Sequence, residues 1–276
     1  RNMLPKKAWR VIIVLAVIFG FSGCGKKKEE AEVAPAKPAI TPGETVFIPA
    51  GEAIIGSDND KASPAYPQHK VNVPAFRIDK YEVTNMEFLD FAINNKYEGE
   101  GAKEGKNWRL FATPDNGLVP VIYITWNDAQ EYCKAAGKRL STEEEWEKAA
   151  RGPDGKAYPW GNDWVEGRSN TAESGNLKPM PIGKYEDVSQ YGVHDMLGNV
   201  REWTSSWYAP YPGNPKKDPY AGKQRRVVRG LSPNHRGKMA HLWDRDAYPP
   251  AFLGDVGFRC AKDATPEDIA KNSPAK

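Results

Sequence analysis

The run YGVHDMLGNVREW at residues 191–203 commits the middle of the domain to tight turns rather than to a long helix. Asp195 and Glu202 bracket Gly198 and Asn199, a pair that lets the backbone turn sharply enough to aim carbonyl oxygens inward. Carboxylates and carbonyls at this spacing read as a scaffold for a hard cation such as calcium, which takes about six to eight oxygens.

Composition points the same way. The 276 residues include 25 Gly and 23 Pro beside nine Trp and 12 Tyr, the mix of a loop-rich fold cemented by aromatic packing. This length suits one large domain or two small ones.

At the start of the chain, Lys6, Lys7 and Arg10 precede the apolar run VIIVLAVIFGF at residues 11–21. That run is short for a membrane span and right for the core of an export signal. The following FSGC, ending at Cys24, resembles a bacterial lipobox, whose cysteine becomes the lipidated first residue of the mature protein. An uncleaved anchor is the alternative, and either one places the domain outside the cytoplasm. Residues 24–43 are rich in charge, Ala and Pro, with almost nothing large and apolar to bury, and read as an extended tether. The expected organisation is a signal peptide at 1–23, this tether, a domain at 44–263 and a disordered tail at 264–276. Without the four basic residues of the signal, 35 Lys and Arg face 36 Asp and Glu. A near-neutral mature protein has no electrostatic case for nucleic acid. The expected partners are the membrane, through lipid on Cys24, and a protein or glycan at the bacterial cell envelope, periplasmic or facing the surface.

Within the domain, residues 44–56 read as a hairpin or paired short strands and 71–84 as further strand. Thr84 with Glu87 forms a capping box for a helix to about Asn94. Residues 95–117 read as a surface loop and 121–124 as a short strand. A helix follows from about Asn127 and ends near Gly137. Ser141 and Thr142 each precede a glutamate by three residues, a doubled capping signal for a helix that stops at Gly152. Beyond Pro153 only 224–230 and 256–261 read clearly as strands.

Five stretches in order carry a resemblance: GKRLSTEEEWEKAARG, YPWGN, GVHDMLGNVREWTSSWY, VVRG and GFRC. Together they resemble the formylglycine-generating enzyme family, or sulfatase-modifying factor domain, from about Val46 to Lys262. The resemblance implies a single α+β domain, loop-rich, low in regular secondary structure and related to C-type lectins, with bound calcium. It implies ligands at Asp195 and Glu202 through side chains and at Gly198 and Val200 through carbonyls. The alternative is that both carboxylates only satisfy backbone amides. Two converging carboxylates repel unless something neutralises them, which favours the ion. Asn170 and Thr171 match half of a first calcium site, whose acidic-aromatic completion is replaced by SGNLKPMPIG at 174–183.

The resemblance also implies a disulfide between Cys133 and Cys260, worth on the order of 4 kcal/mol by chain entropy. Two buried free thiols are the alternative. The family's enzymes bind copper through two cysteines in the segment that here spans 231–255, and that segment has none. By offset the two positions fall near Ser232 and Gly237. Copper is therefore not expected, nor formylglycine generation by the family mechanism.

His235, His241, Trp243, Asp244 and Arg245 remain in that segment, and Trp207, Tyr208 and Tyr211 lie among nearby Pro and Gly. These are the candidate ligand-contact residues. Exposed loop histidines and plain loop packing are the competing readings. The expected function is a membrane-anchored lipoprotein whose calcium-stabilised domain is a non-catalytic binding or assembly module. The rivals are a metal-dependent oxidoreductase of the same superfamily, using His235, His241 or Asp244, and a carbohydrate-binding lectin-like module.

Overall fold

A computed structural model describes residues 39–272 apart from Glu104 and Lys106. The expected signal peptide, the lipidation at Cys24 and most of the tether lie outside the described residues. All elements below belong to the unit Ile40–Lys276. Among the described residues no helix is long and apolar enough to cross a membrane.

Among the described residues ten short strands and four α-helices form the frame. The strands are β1 (Thr45–Ile48), β2 (Gly51–Ile55), β3 (His69–Val73), β4 (Phe76–Asp79), β5 (Arg139–Leu140), β6 (Arg201–Trp207), β7 (Arg226–Arg229), β8 (Arg245–Tyr248), β9 (Val256–Phe258) and β10 (Cys260–Asp263). One sheet has the order β1-β4-β10-β5, another β8-β7-β6-β9, and β2 pairs with β3 alone. Among the described residues only β6 and β9 pair in parallel. The first two strands exist as expected, but each pairs with a later strand rather than with the other.

Helix α1 (Asn85–Asn95) begins at the Thr84–Glu87 capping box. Helix α2 (Trp126–Ala135) has a box of its own, Thr125 with Asp128. Helix α3 (Glu143–Arg151) is capped by Thr142 and Glu145 and stops at Gly152. The stretch expected to fray from Ala264 instead carries helix α4 (Pro266–Asn272), started by Thr265 and Asp268 and tied down by a 2.9 Å ion pair from Arg77 to Asp268.

Two apolar clusters fill the interior. One gathers Trp146, Tyr158, Met196 and Leu197 under β1, β2 and β4. The other gathers Phe88, Trp108, Trp203 and Phe258 between α1, α2 and β9. Trp108 is buried although it lies in the stretch expected to be a surface loop, and it meets Phe88 edge-on at 5.0 Å. Val121, Ile122 and Ile124 are buried but make no strand, because Tyr123 between them takes a left-handed φ of 58°.

Candidate functional site

The turn run sits where the two clusters meet, and its own side chains do not hold it alone. Asp195 and Asn199 adopt left-handed φ of 57° and 74°, conformations that short polar side chains tolerate. Asp187 organises the turn from outside: its carboxylate accepts from the amides of Leu197 and Gly198, both at 3.1 Å, and from Ser169 Oγ at 2.6 Å. The Asn199 side chain accepts from Asn170 and from the Met180 amide, and donates to Glu82 Oε1 at 3.2 Å. A Cβ on Gly198 would stand 2.4 Å from Ser169 Oγ and 2.6 Å from the Asn170 carbonyl oxygen, so only glycine fits this crossing.

Glu202, at the start of β6, is fully buried beside Arg259. Nε and one terminal nitrogen of Arg259 donate to its two oxygens at 2.8 Å, and Trp146 Nε1 donates at 2.9 Å. The repulsion expected between Asp195 and Glu202 is thus relieved on the Glu202 side by a guanidinium. Burial opposes the charge on Arg259, but Glu202 outweighs it and its pKa rises.

The unmet acidity lies elsewhere. Burial, then the facing Asp195, push Glu82 well above the usual carboxylate range. Burial, then Asp187, push Asp195 up to about 7, and burial raises Asp187 to about 6. One oxygen of Asp195 accepts the Gly183 amide at 2.7 Å. A Cβ on Gly230 would stand 3.4 and 3.5 Å from the Met196 and Val200 carbonyl oxygens and 3.5 Å from the Trp146 ring, at a left-handed φ of 72°. Both oxygens of Glu202 are taken by Arg259 and Trp146, so Asp195 is the one expected carboxylate ligand here not already held by a guanidinium. Among the described residues no three His, Cys, Asp or Glu side chains are grouped to hold a metal, so carbonyls would have to complete the set. The side chains of Asn170 and Thr171 are spent on turns: Asn170 on Lys178, Asn199 and Ser174, Thr171 on Glu173.

The candidate contact residues divide into two groups. Tyr208 and Tyr211 are largely buried, and Tyr208 and Arg245 line a cavity of about 130 Å³ with Pro64, Asp218, Tyr220 and Arg225. The tyrosines are 6% and 8% exposed. Arg245 packs 4.0 Å over the Tyr211 ring and pairs with Glu143 at 2.7 Å. The physical reason is the buried acid pair Glu143 and Glu147 on α3, which draws in Arg151, Arg229 and Arg245. Trp207 is half-buried, with the Arg226 guanidinium sandwiched between it and Trp126 at 3.4 and 3.7 Å. His235 turns Nδ1 to Ser232 Oγ at 2.8 Å.

His241, Trp243 and Asp244 do come together. The two rings stack at 4.3 Å and 9°, and Asp244 caps the His241 amide at 2.9 Å. With Ser57, Asn59, Asp60, Ser63 and Met239 they line a cavity of about 190 Å³. Burial lowers the pKa of His241, which favours its neutral form.

This sequence matches the sulfatase-modifying factor enzyme 1-like domain over residues 30–264. The chain belongs to that family. The inactive C-alpha-formylglycine-generating enzyme 2 of Mus musculus is 32% identical over 79% of this chain and 85% of its own length. The formylglycine-generating enzyme of Streptomyces coelicolor is 30% identical over 89% and 96%. PvdO from Pseudomonas aeruginosa shares the fold, with a TM-score of 0.66, 24% identity, and coverage of 82% of this chain and all of PvdO.

Two features bear on chemistry in this sulfatase-modifying factor domain. Cys133 on α2 and Cys260 on β10 form a disulfide, with Cα atoms 5.6 Å apart and both residues fully buried. Residues 231–255 hold no cysteine, Ser232 is fully buried, and Gly237 is closed to any side chain. A Cβ there would meet the Trp164 ring at 2.6 Å and Thr171 Cγ2 at 2.8 Å.

Proposed function

We propose that the domain is a non-catalytic binding or assembly module, carried on a lipid-anchored protein of the bacterial envelope and kept rigid by calcium at Asp195, Gly198 and Val200, with Glu202 already held by Arg259. The observation that carries this reading is the segment 231–255. It has no thiolate to offer copper or a substrate cysteine, and the domain's other two cysteines are spent on one another. Recognition then falls to the cavity of His241, Trp243 and Asp244, whose polar rim of Ser57, Asn59, Asp60 and Ser63 suits a protein side chain or a glycan at the cell envelope. Lipid on Cys24 would hold the domain at the membrane.

The test has a chemical and a binding arm. Purified protein with copper and a cysteine-bearing sulfatase peptide should give no formylglycine by mass spectrometry; turnover would overturn the reading. Calcium at about 100 times its Kd should stabilise the fold by about 2.7 kcal/mol, a rise in Tm of about 5–10 °C for a domain of this size that a chelator reverses. Crosslinking on intact cells should retain partners for wild type and lose them for Trp243→Ala with Asp244→Ala. An unchanged partner set would exclude this surface.

A further inference from the structure

We propose that the cavity beside Tyr208 binds a small free α-amino acid, held by Arg225 at its carboxylate and by Asp218 at its ammonium. The cavity of about 130 Å³ shares no lining residue with that of His241, Trp243 and Asp244. It lies at one end of β6 and β7, where Tyr208 follows the first strand and Arg225 precedes the second. The Tyr208 amide donates to the Arg225 carbonyl at 2.8 Å, and the Gly222 amide to the Tyr208 carbonyl at 2.9 Å, so this wall is fixed by backbone. Arg245 and Asp246 of β8 line another side.

Two opposite charges line this cavity without meeting. Arg225 is half-buried with its guanidinium 3.5 Å over the Tyr220 ring, and its side-chain N–H groups reach no acceptor among the described residues. Asp218, also half-buried, is fixed separately: one oxygen accepts the Tyr208 hydroxyl at 3.0 Å and the other the Tyr220 amide at 2.8 Å. It makes no ion pair among the described residues, and about half of a carboxylate's roughly four acceptor sites stay open. The other charges are spent. Arg245 pairs with Glu143 at 2.7 Å, while Asp246 accepts from Arg201 at 3.3 Å and from the Tyr248 hydroxyl at 2.6 Å. Ring stacking on one side and turn hydrogen bonds on the other thus keep Arg225 and Asp218 from closing on each other. A molecule with a carboxylate and an ammonium on one carbon satisfies both at once, its carboxylate taking the planar fork of Arg225. A simple anion or a simple amine would leave one of the two unpaired. At about 30 Å³ per water the cavity has room for about four waters, which suits an amino acid with a small side chain.

The experiment titrates glycine, L-alanine and L-serine into the purified protein by calorimetry, each beside its N-acetyl form, which lacks the ammonium, and its amide, which lacks the carboxylate. At least one free amino acid should bind, and blocking either end should weaken its binding at least tenfold. Arg225→Gln and Asp218→Asn should each weaken it at least tenfold while leaving Tm unchanged, since neither side chain holds an ion pair. Arg225→Gln should also leave the residual affinity for the amide form unchanged, because that form has no carboxylate to lose. Should Asp218→Asn lower Tm through its hold on Tyr208 and Tyr220, this comparison on Arg225→Gln decides alone. Binding that survives acetylation would make the cavity a general carboxylate site, peptide C-termini included, and overturns the assignment. Binding that both variants leave intact overturns it as well, and so does the absence of binding by all three amino acids at millimolar concentration.

Discussion

Arg259 is the residue on which the interior depends most. Its fork holds Glu202 in β6 and its remaining donors clamp the carbonyls of Asp79, Lys80 and His194. Glu202 and the GFRC stretch were both visible in the sequence, but their pairing across 57 residues was not. On Glu202 neutralisation comes from a guanidinium that its own run does not contain. Glu143 likewise draws Arg245 and Tyr211 toward α3 from far along the chain, which no local pattern announces. Arg259→Met should leave Glu202 buried beside a single Trp donor and cost about 3–5 kcal/mol, as removing one partner of a buried pair does. Urea unfolding measures it, and a loss below about 1 kcal/mol would show that the pair is dispensable.

Helices were legible because their starts are local. Thr84 with Glu87 and Thr142 with Glu145 lie within one turn of chain, so the spacing alone reveals them. The doubled signal before α3 has a definite resolution. Thr142 Oγ1 accepts from the Glu145 amide at 3.2 Å and the Glu145 carboxylate returns to the Thr142 amide at 2.8 Å, while the buried Ser141 Oγ has no partner. Thr142→Ala should therefore cost about 1 kcal/mol. Ser141→Ala should be neutral or slightly stabilising, since it removes a hydroxyl that bonds nothing. Equal losses in thermal unfolding would mean that both residues cap. Strands fared worse, because short strands depend on partners far along the chain. Residues 121–124 have the apolar content of a strand but lose the geometry at Tyr123. Strand β6, REWTSSW, hides its role because it lies inside its sheet between β7 and β9 and carries polar residues there. Thr204 and Ser205 are satisfied by the carbonyls of Val227 and Ser141, contacts that no local pattern announces.

The fold as a whole has little regular structure to hold it, so covalent and ionic ties between distant segments count for more than in a helical bundle. The Cys133–Cys260 disulfide is the covalent one, closing a separation of 127 residues and fastening α2 to the sheet that contains β4 and β5. Chain entropy assigns a loop of that length about 5 kcal/mol. Marginal stability makes this a large share of the roughly 5–15 kcal/mol available to a native domain. The double variant Cys133→Ala with Cys260→Ala should accordingly show a much lower urea midpoint at constant ionic strength and fixed calcium. Because both cysteines are buried, reductant should act on the wild-type protein only as fast as the domain opens. The reduction rate measured with excess thiol should therefore follow the unfolding rate and rise with urea. Reduction that is fast and independent of urea would mean that the bond is reached without opening, and that the segments it joins move apart in the native state. In that case the frame would not be the rigid support that the cavity of His241, Trp243 and Asp244 requires.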